Sequence, residues 1–409
     1  MSAPLLLFDA IAGGHHDEYV GHLVRAISAR GQSRSLALAV PRIMLDAHPE
    51  WEEGGARVTA LPTLPPPSDP WQDSRRHWTF LDQAVREHRP ARVLLLYADA
   101  VIPTLAGGAR LQGRPELGTI HFRPPVRQSS PRPRERVRDV VKGWQLRRVL
   151  RRPDLRLACT LDPRSIPTFR EQTRGAHVVA LPDPVALPTL TAAQQSDARA
   201  EVRRDLGVDP ERHLMVLFGA LEPRKGIFQT VEAIHRVAPD AAKRLAVAFV
   251  GSVQAECREA FYSAVEFASG ASAAHVILKD RRLEDREITP LMCAADTILI
   301  PYQRHLGSSG VLIRAAGLQQ PTIAQQTDLI GAWTREHNLG RTVDSTDPAA
   351  IARAVEAAVA SREGRLDRVA ARAFAAGHTP DAFVRDLLDG PAGMLPGATA
   401  AAPAILVPR

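Results

Sequence analysis

Short runs of apolar, often β-branched residues alternate along the chain with longer stretches whose apolar positions recur at helical spacing. That alternation is the pattern of parallel sheets joined by helical crossovers. In the first half it predicts strands at Leu5 to Phe8, Ser35 to Val40, Arg57 to Leu61, Arg92 to Tyr97, Gly118 to His121, Arg156 to Thr160 and His177 to Leu181. Helices are expected at Glu18 to Arg30, Trp71 to His88 and Arg136 to Arg152. The pattern pauses from Leu181 to Pro188, where prolines cannot donate ladder hydrogen bonds and hold the chain extended, as in a linker. It then restarts, with strands at Leu214 to Gly219, Leu245 to Gly251, Val276 to Asp280, Thr297 to Pro301, Pro321 to Ala324 and Arg341 to Asp344. Helices are predicted at Ile227 to Val237, Ala255 to Phe267, Asp285 to Ala294, Ser309 to Gly317, Ala349 to Ala360 and Pro380 to Leu388.

The fold class this implies is α/β, two Rossmann-like domains with parallel sheets facing across a cleft. The expected boundaries are 1–185 and 186–375, then a C-terminal helical segment 376–390 whose candidate packing partner is the first domain. The Ala-, Pro- and Gly-rich stretch 391–409 is expected to be a disordered tail. The length of 409 residues fits two domains, and the 45% hydrophobic content is that of a globular chain. No apolar run approaches the ~20 residues of a membrane-spanning helix. The run Pro4 to Phe8 is preceded by no Lys or Arg and ended by Asp9, unlike a signal peptide, so a cytoplasmic location is expected. Cys159, Cys257 and Cys293 are widely spaced without a CxxC, which predicts reduced, buried thiols and no metal site.

Charge changes the picture locally. The net charge is +7, but His121 to Leu157 carries twelve Lys and Arg against three acids, a surplus of +9, so the rest of the chain sums to −2. Within this segment Val137, Val140, Val141 and Trp144 form one apolar stripe, with Leu146, Val149 and Leu150 offset from it. Two readings stand for residues 123–152. One is a peripheral contact with an anionic membrane surface, at the inner face, with Trp144 as the interfacial anchor. The other is an ordinary domain helix whose valines face its own core. Nucleic acid is not an expected partner, because no aromatic platform is interleaved with the arginines.

Three glycine-rich turns carry candidate chemistry. Gly13 and Gly14 follow the first strand and precede a helix, where backbone N–H groups can meet an anionic or polar ligand. Gly219 opens a turn containing Arg224, Lys225 and Gly226 just before a helix, which joins mobile charge to a helix dipole. Ser308, Ser309 and Gly310 begin a third helix and suit a diphosphate cradle. His121 ends a parallel strand, where cleft residues gather, and Tyr97 and Asp99 share that position more weakly. GxGxxG and P-loop sequences are absent, which makes a dehydrogenase or a P-loop NTPase a poor alternative.

Those turns, with Ala294 to Tyr302, Ala315 to Gly317 and Pro321 to Ile323, resemble the retaining glycosyltransferases of the GT-B fold, group 1 (family 4) class, over nearly the whole chain. The resemblance implies transfer of a sugar from a nucleotide-sugar co-substrate, with no other cofactor and no metal, to a glycan, lipid-linked or small-molecule acceptor. It also implies that Lys225 and the serine-glycine loop hold the donor diphosphate and that His121 lies near the transferring sugar. Two departures stand out. Ala220 replaces the family's arginine after the second-domain glycine, with Arg224 as a substitute cation. The family's pair of glutamates would fall on Leu306 and Arg314, and no Asp or Glu occurs between Asp296 and Asp328. A guanidinium accepts no hydrogen bond from a hydroxyl, so Arg314 suits phosphate instead. The alternative is a non-catalytic relative of these enzymes that binds a sugar, nucleotide or protein.

Overall fold

The structure is a computed structural model and describes residues 4–13, 15–63, 69–122, 124, 133–361, 365–390 and 392–395. The chain forms two compact units, Met1–Pro184 with Pro380–Arg409, and Val185–Thr379. The first contains β1 (Leu5–Phe8), β2 (Leu36–Pro41), β3 (Arg57–Leu61), β4 (Arg92–Leu95), β5 (Glu116–His121), β6 (Leu155–Thr160) and β7 (His177–Ala180). Its sheet runs in the order β3-β2-β1-β4-β5-β6-β7. The second contains β8 (His213–Phe218), β9 (Leu245–Val250), β10 (His275–Lys279), β11 (Thr297–Ile300), β12 (Thr322–Gln325) and β13 (Gly340–Val343), in the order β10-β9-β8-β11-β12-β13. Neighbouring strands pair in parallel throughout, as between β1 and β4 and between β8 and β9.

Both sheets are covered on both faces, which is why the central strands read as unbroken apolar runs rather than alternating ones. Every residue of β1, β2, β8 and β9 is buried. Alternate side chains enter opposite layers, as strand geometry requires. Leu5 and Leu7 pack with Tyr19 and Phe383, while Leu6 and Phe8 pack with Leu81 and Leu105. In the second unit Leu214, Val216 and Phe218 face one layer and Met215 and Leu217 the other.

Among the described residues the thirteen strands stand where the apolar runs predict them, displaced by one or two residues at the ends. Short or polar helices at Arg42–Ala47, Ile102–Ala106, Ile166–Gln172, Ala192–Asp205, Asp328–Glu336 and Arg368–Ala376 are additions. Cys159, Cys257 and Cys293 are free and buried.

Two expectations change. The tail does not begin at residue 391, because the chain returns to the first sheet: Ala392, Met394 and Leu395 are buried in its core. Glycine at 118 makes room for Met394, whose sulfur would lie 2.9 Å from a Cβ there. Arg92 and Arg156 fix the returning chain by donating to the carbonyls of Gly393 and Ala392. Residues 391 and 396–409 lie outside the described ones.

The second change concerns the helix Pro133–Leu150. Its core-facing side is Leu146, Val149 and Leu150, packed beside Leu105 and Phe169. Val137, Val140 and Trp144 are 65%, 72% and 49% exposed, so the valines do not face the unit's own core. Residues 123 and 125–132 of the basic segment lie outside the described ones.

Candidate functional site

Ligands of open α/β sheets gather outside the carboxyl ends of the strands where the strand order reverses. In the second unit that point lies between β8 and β11. The loops leaving those two strands hold most of the residues singled out by sequence.

After β8 the chain turns at Gly219, whose φ of +91° is left-handed, and runs through a single 3-10 turn, Pro223–Lys225, into the helix Ile227–Arg236. The turn folds the Lys225 side chain back onto the strand end, where Nζ donates to the Phe218 carbonyl at 2.6 Å. A Cβ on residue 219 would lie 2.5 Å from that nitrogen, so glycine is what lets the ammonium occupy its place. Burial, reinforced by the neighbouring Arg224 and opposed by Glu222, pulls the Lys225 pKa down to about 8. Arg224 pairs with Glu222 and lies 3.3 Å from Nδ1 of His305.

The loop after β11 presses against this turn. A Cβ on Gly226 would fall 2.1 Å from the Pro301 carbonyl oxygen, and the Gln303 N–H donates to the Arg224 carbonyl at 2.7 Å. The Tyr302 ring sits 5.9 Å from both the Arg224 guanidinium and Lys225 Nζ, a distance at which its π face attracts them. Burial raises the Tyr302 hydroxyl to about 12, against a hydrogen bond with Ser309 that lowers it. Ser309 is the N-cap of the helix Gly310–Gly317, its hydroxyl accepting from the Leu312 N–H at 3.4 Å. His305 Nε2 reaches the Ser308 carbonyl at 2.8 Å, and Gln325 donates to the His305 carbonyl at 2.6 Å. The loop is therefore held from inside and from β12.

The structure thus brings Gly219, Arg224, Lys225, Ser308, Ser309 and Gly310 into two touching loops. Arg314 is engaged elsewhere, donating to the Ala186 carbonyl at 3.2 Å. Leu306 is half-buried and offers no polar group. Tyr302 and His305 were visible in sequence only as parts of a strand end and a loop; their contact with both cations depends on how the two loops meet. Two helices of this unit start at the site. Helix N-termini leave backbone N–H groups unpaired and carry partial positive charge, so this corner is built to receive an anion.

In the first unit the sheet order reverses between β1 and β4. Gly13, exposed with φ of +90°, donates its N–H to Asp17 at 2.9 Å, and Gly14 lies outside the described residues. Asp9 follows β1 and is buried, accepting from the Ile11 N–H at 3.0 Å and contacting His16 Nδ1 at 2.8 Å. A carboxylate in that place holds the proton on Nδ1 and leaves Nε2 as the basic nitrogen. Around the pair gather His15, Tyr19, Tyr97 and Phe122, with His15 and His16 stacked at 4.3 Å. The signal for Asp9 and His16 was the acid ending the first strand and the paired histidines after the glycines.

His121 ends β5 as expected, but it is fully enclosed. Its Nε2 lies 3.0 Å from the Thr119 hydroxyl, its ring meets Phe169 edge-on, and Asp99 is 3.8 Å from Nδ1. In this structure His121 offers no surface to a ligand, whereas His16, also buried and near the end of β1, has the Asp9 carboxylate at 2.8 Å. Among the described residues no group of His, Cys, Asp and Glu is arranged to hold a metal ion.

Residues 212–361 match a family model described as "Glycosyl transferases group 1". No curated protein matches the chain by sequence. Among solved structures it resembles sucrose-phosphate synthase from Thermosynechococcus elongatus, at 15% identity over 93% of this chain and 96% of that one, TM-score 0.66. It resembles Anabaena HepE in complex with UDP-glucose at 14% identity, 93% and 97% coverage and TM-score 0.63. A UDP-forming trehalose-phosphate synthase from Burkholderia vietnamiensis follows at 12% identity, 94% and 97% coverage and TM-score 0.62. At such identities the likeness is one of fold, and the fold is GT-B.

Proposed function

We propose that this chain, a GT-B protein whose second unit is a group 1 glycosyl transferase domain, transfers a sugar from a nucleoside-diphosphate sugar to a hydroxyl acceptor. The observation that carries this reading is the buried Lys225 ammonium, seated over Gly219 between the starts of two helices at the switch point of the second sheet. When the bond from the anomeric carbon to the diphosphate breaks, negative charge develops on the departing phosphate. Fixed cations and N–H dipoles aimed at that charge lower the barrier without reorganising. Lys225 and Arg224 supply the cations. The backbone N–H groups of Gly310 and Val311, at the start of their helix, supply the dipoles. Tyr302, holding both cations and Ser309, keeps the two loops in register. HepE, of the same fold, has been solved with UDP-glucose, which supports a nucleotide-sugar donor here.

The proposal includes retention of configuration at the anomeric carbon, the outcome the group 1 resemblance implies, and a glycan, lipid-linked or small-molecule acceptor on the first unit. The exposed Val137, Val140 and Trp144, set among arginines, are proposed to rest on an anionic membrane surface that would present a lipid-linked acceptor. Titration with UDP-, GDP- and ADP-sugars, followed by thermal unfolding and product analysis, tests the donor. Stabilisation by one of them, lost in Lys225→Ala, sustains the reading; an inverted product would shift the acceptor chemistry to the Asp9–His16 pair. A second reading, a sugar-nucleotide binding protein without turnover, is favoured by Leu306 and Arg314, which stand where the group 1 resemblance implies a pair of acids. It predicts stabilisation by the nucleotide sugar and no product with any acceptor.

A further inference from the structure

The first unit has a second concentration of positive charge, away from its strand C-termini. Arg110 and Arg114 lie in the connection that leads into β5, and Arg151 and Arg152 lie just before β6. These are the amino ends of parallel strands, separated from the carboxyl edge by the length of β5, about 17 Å for six residues. Together with Arg148 they line a pocket of about 270 Å³ that includes Leu105 and Ala106, and among the described residues its sole carboxylate is Asp154.

The pocket is built rather than incidental. Arg152, with 9% of its side chain exposed, donates to the carbonyls of Leu105 and Ala109 at 3.0 and 2.9 Å and grips Asp154 at 2.6 Å. That clamp neutralises the carboxylate and ties the two walls together. Arg148 is steadied at the rim by the Trp144 ring, 5.1 Å from its guanidinium. Among the described residues no carboxylate pairs with Arg110, Arg114, Arg148 or Arg151. Four unpaired guanidiniums around one concavity repel each other, and such a concavity concentrates field and attracts anions. Planar N–H forks around a shared space match phosphate oxygens in particular.

We propose that this pocket binds a phosphate group, as a second anion site independent of the donor site in the other unit. The phosphate could be supplied by a lipid headgroup, since the exposed Val137, Val140 and Trp144 continue along the same helix, or by a soluble phosphate ester. The test pairs calorimetric titration of inorganic phosphate and pyrophosphate with sedimentation on phosphatidylcholine vesicles with and without phosphatidic acid. Arg110→Ala/Arg114→Ala and Arg148→Ala/Arg151→Ala should each weaken pyrophosphate binding or the phosphatidic-acid-dependent part of vesicle binding by about tenfold or more. Their response to nucleotide sugar should not change. Arg368→Ala/Arg372→Ala, which removes the same charge from the exposed face of the helix Arg368–Ala376 in the second unit, should bind as wild type. Binding of soluble phosphates alone assigns the soluble source, and binding only to phosphatidic acid assigns the headgroup; either sustains the site. Wild-type protein that binds neither, or a control pair that weakens binding as much as the pocket pairs, overturns it.

Discussion

The contact between Gly219 and Lys225 makes a prediction that separates a glycine kept for its turn from one kept for its neighbour. In Gly219→Ala the new methyl group needs the space 2.5 Å from Lys225 Nζ, and the ammonium is the movable partner. The substitution should therefore push Lys225 off the Phe218 carbonyl while costing about 1–2 kcal/mol for a Cβ in a left-handed conformation. A charge-assisted hydrogen bond to a diphosphate is worth roughly 1.5–3 kcal/mol, so Lys225→Met should weaken nucleoside-diphosphate binding by about 10- to 150-fold. If Gly219 acts through Lys225, Gly219→Ala should produce a similar loss, and the double variant should bind no worse than Lys225→Met alone. Calorimetric titration of the four proteins with the preferred nucleoside diphosphate measures the cycle. The coupling energy should be about as large as the smaller single effect. Additive losses would refute the reasoning, because they would mean that the glycine serves the ligand or the turn without moving the lysine.

Lys225 also predicts a pH dependence. Its pKa is about 8 in the folded chain against an ordinary 10.5, so the unfolded chain binds the extra proton between these values and stability should rise as pH increases from about 8 to 10.5. The lowered value means that the buried charge opposes folding at neutral pH by up to about 3 kcal/mol, so Lys225→Met should melt several degrees higher at pH 7 and lose that rise, as read by thermal unfolding. Nucleoside-diphosphate affinity should fall above about pH 8 in wild type as the ammonium deprotonates and stay flat in Lys225→Met. Ser309→Ala removes an N-cap and should cost about 1 kcal/mol in denaturant unfolding, with a further loss of donor affinity. Trp144→Ala with Val140→Ser should reduce vesicle sedimentation without altering the melting temperature, since both side chains are exposed.

The sheets were legible because a strand covered on both faces must be apolar along its length, and β1, β2, β8 and β9 are. Helix Ala192–Asp205 was not, because its apolar face is little more than the half-buried Ala198 and Val202, and its fully buried residue is Arg203, paired with Asp296. A start signal was nonetheless present in Thr191 and Gln194, which form a reciprocal capping box. The helix at Asp328 begins with a left-handed non-glycine residue, a backbone choice that composition does not announce.

The candidate site divides along a similar line. Residues whose role depends on local geometry were readable: Gly219 and Gly226 as left-handed turns, Lys225 beside them, and Ser309 as a cap. Residues whose role depends on which loops meet were not. Tyr302 becomes a platform for two cations only because Gly226 lets its loop pass against the Pro301 carbonyl. The basic helix shows the same limit from the other side. Its spacing allowed the stripe of Val137, Val140, Val141 and Trp144 or that of Leu146, Val149 and Leu150 to face the core, and helical periodicity cannot choose between two stripes on one helix. Packing against Leu105 and Phe169 chose the second. That choice leaves the first beside a row of arginines, where exposed apolar surface and positive charge call for a common partner.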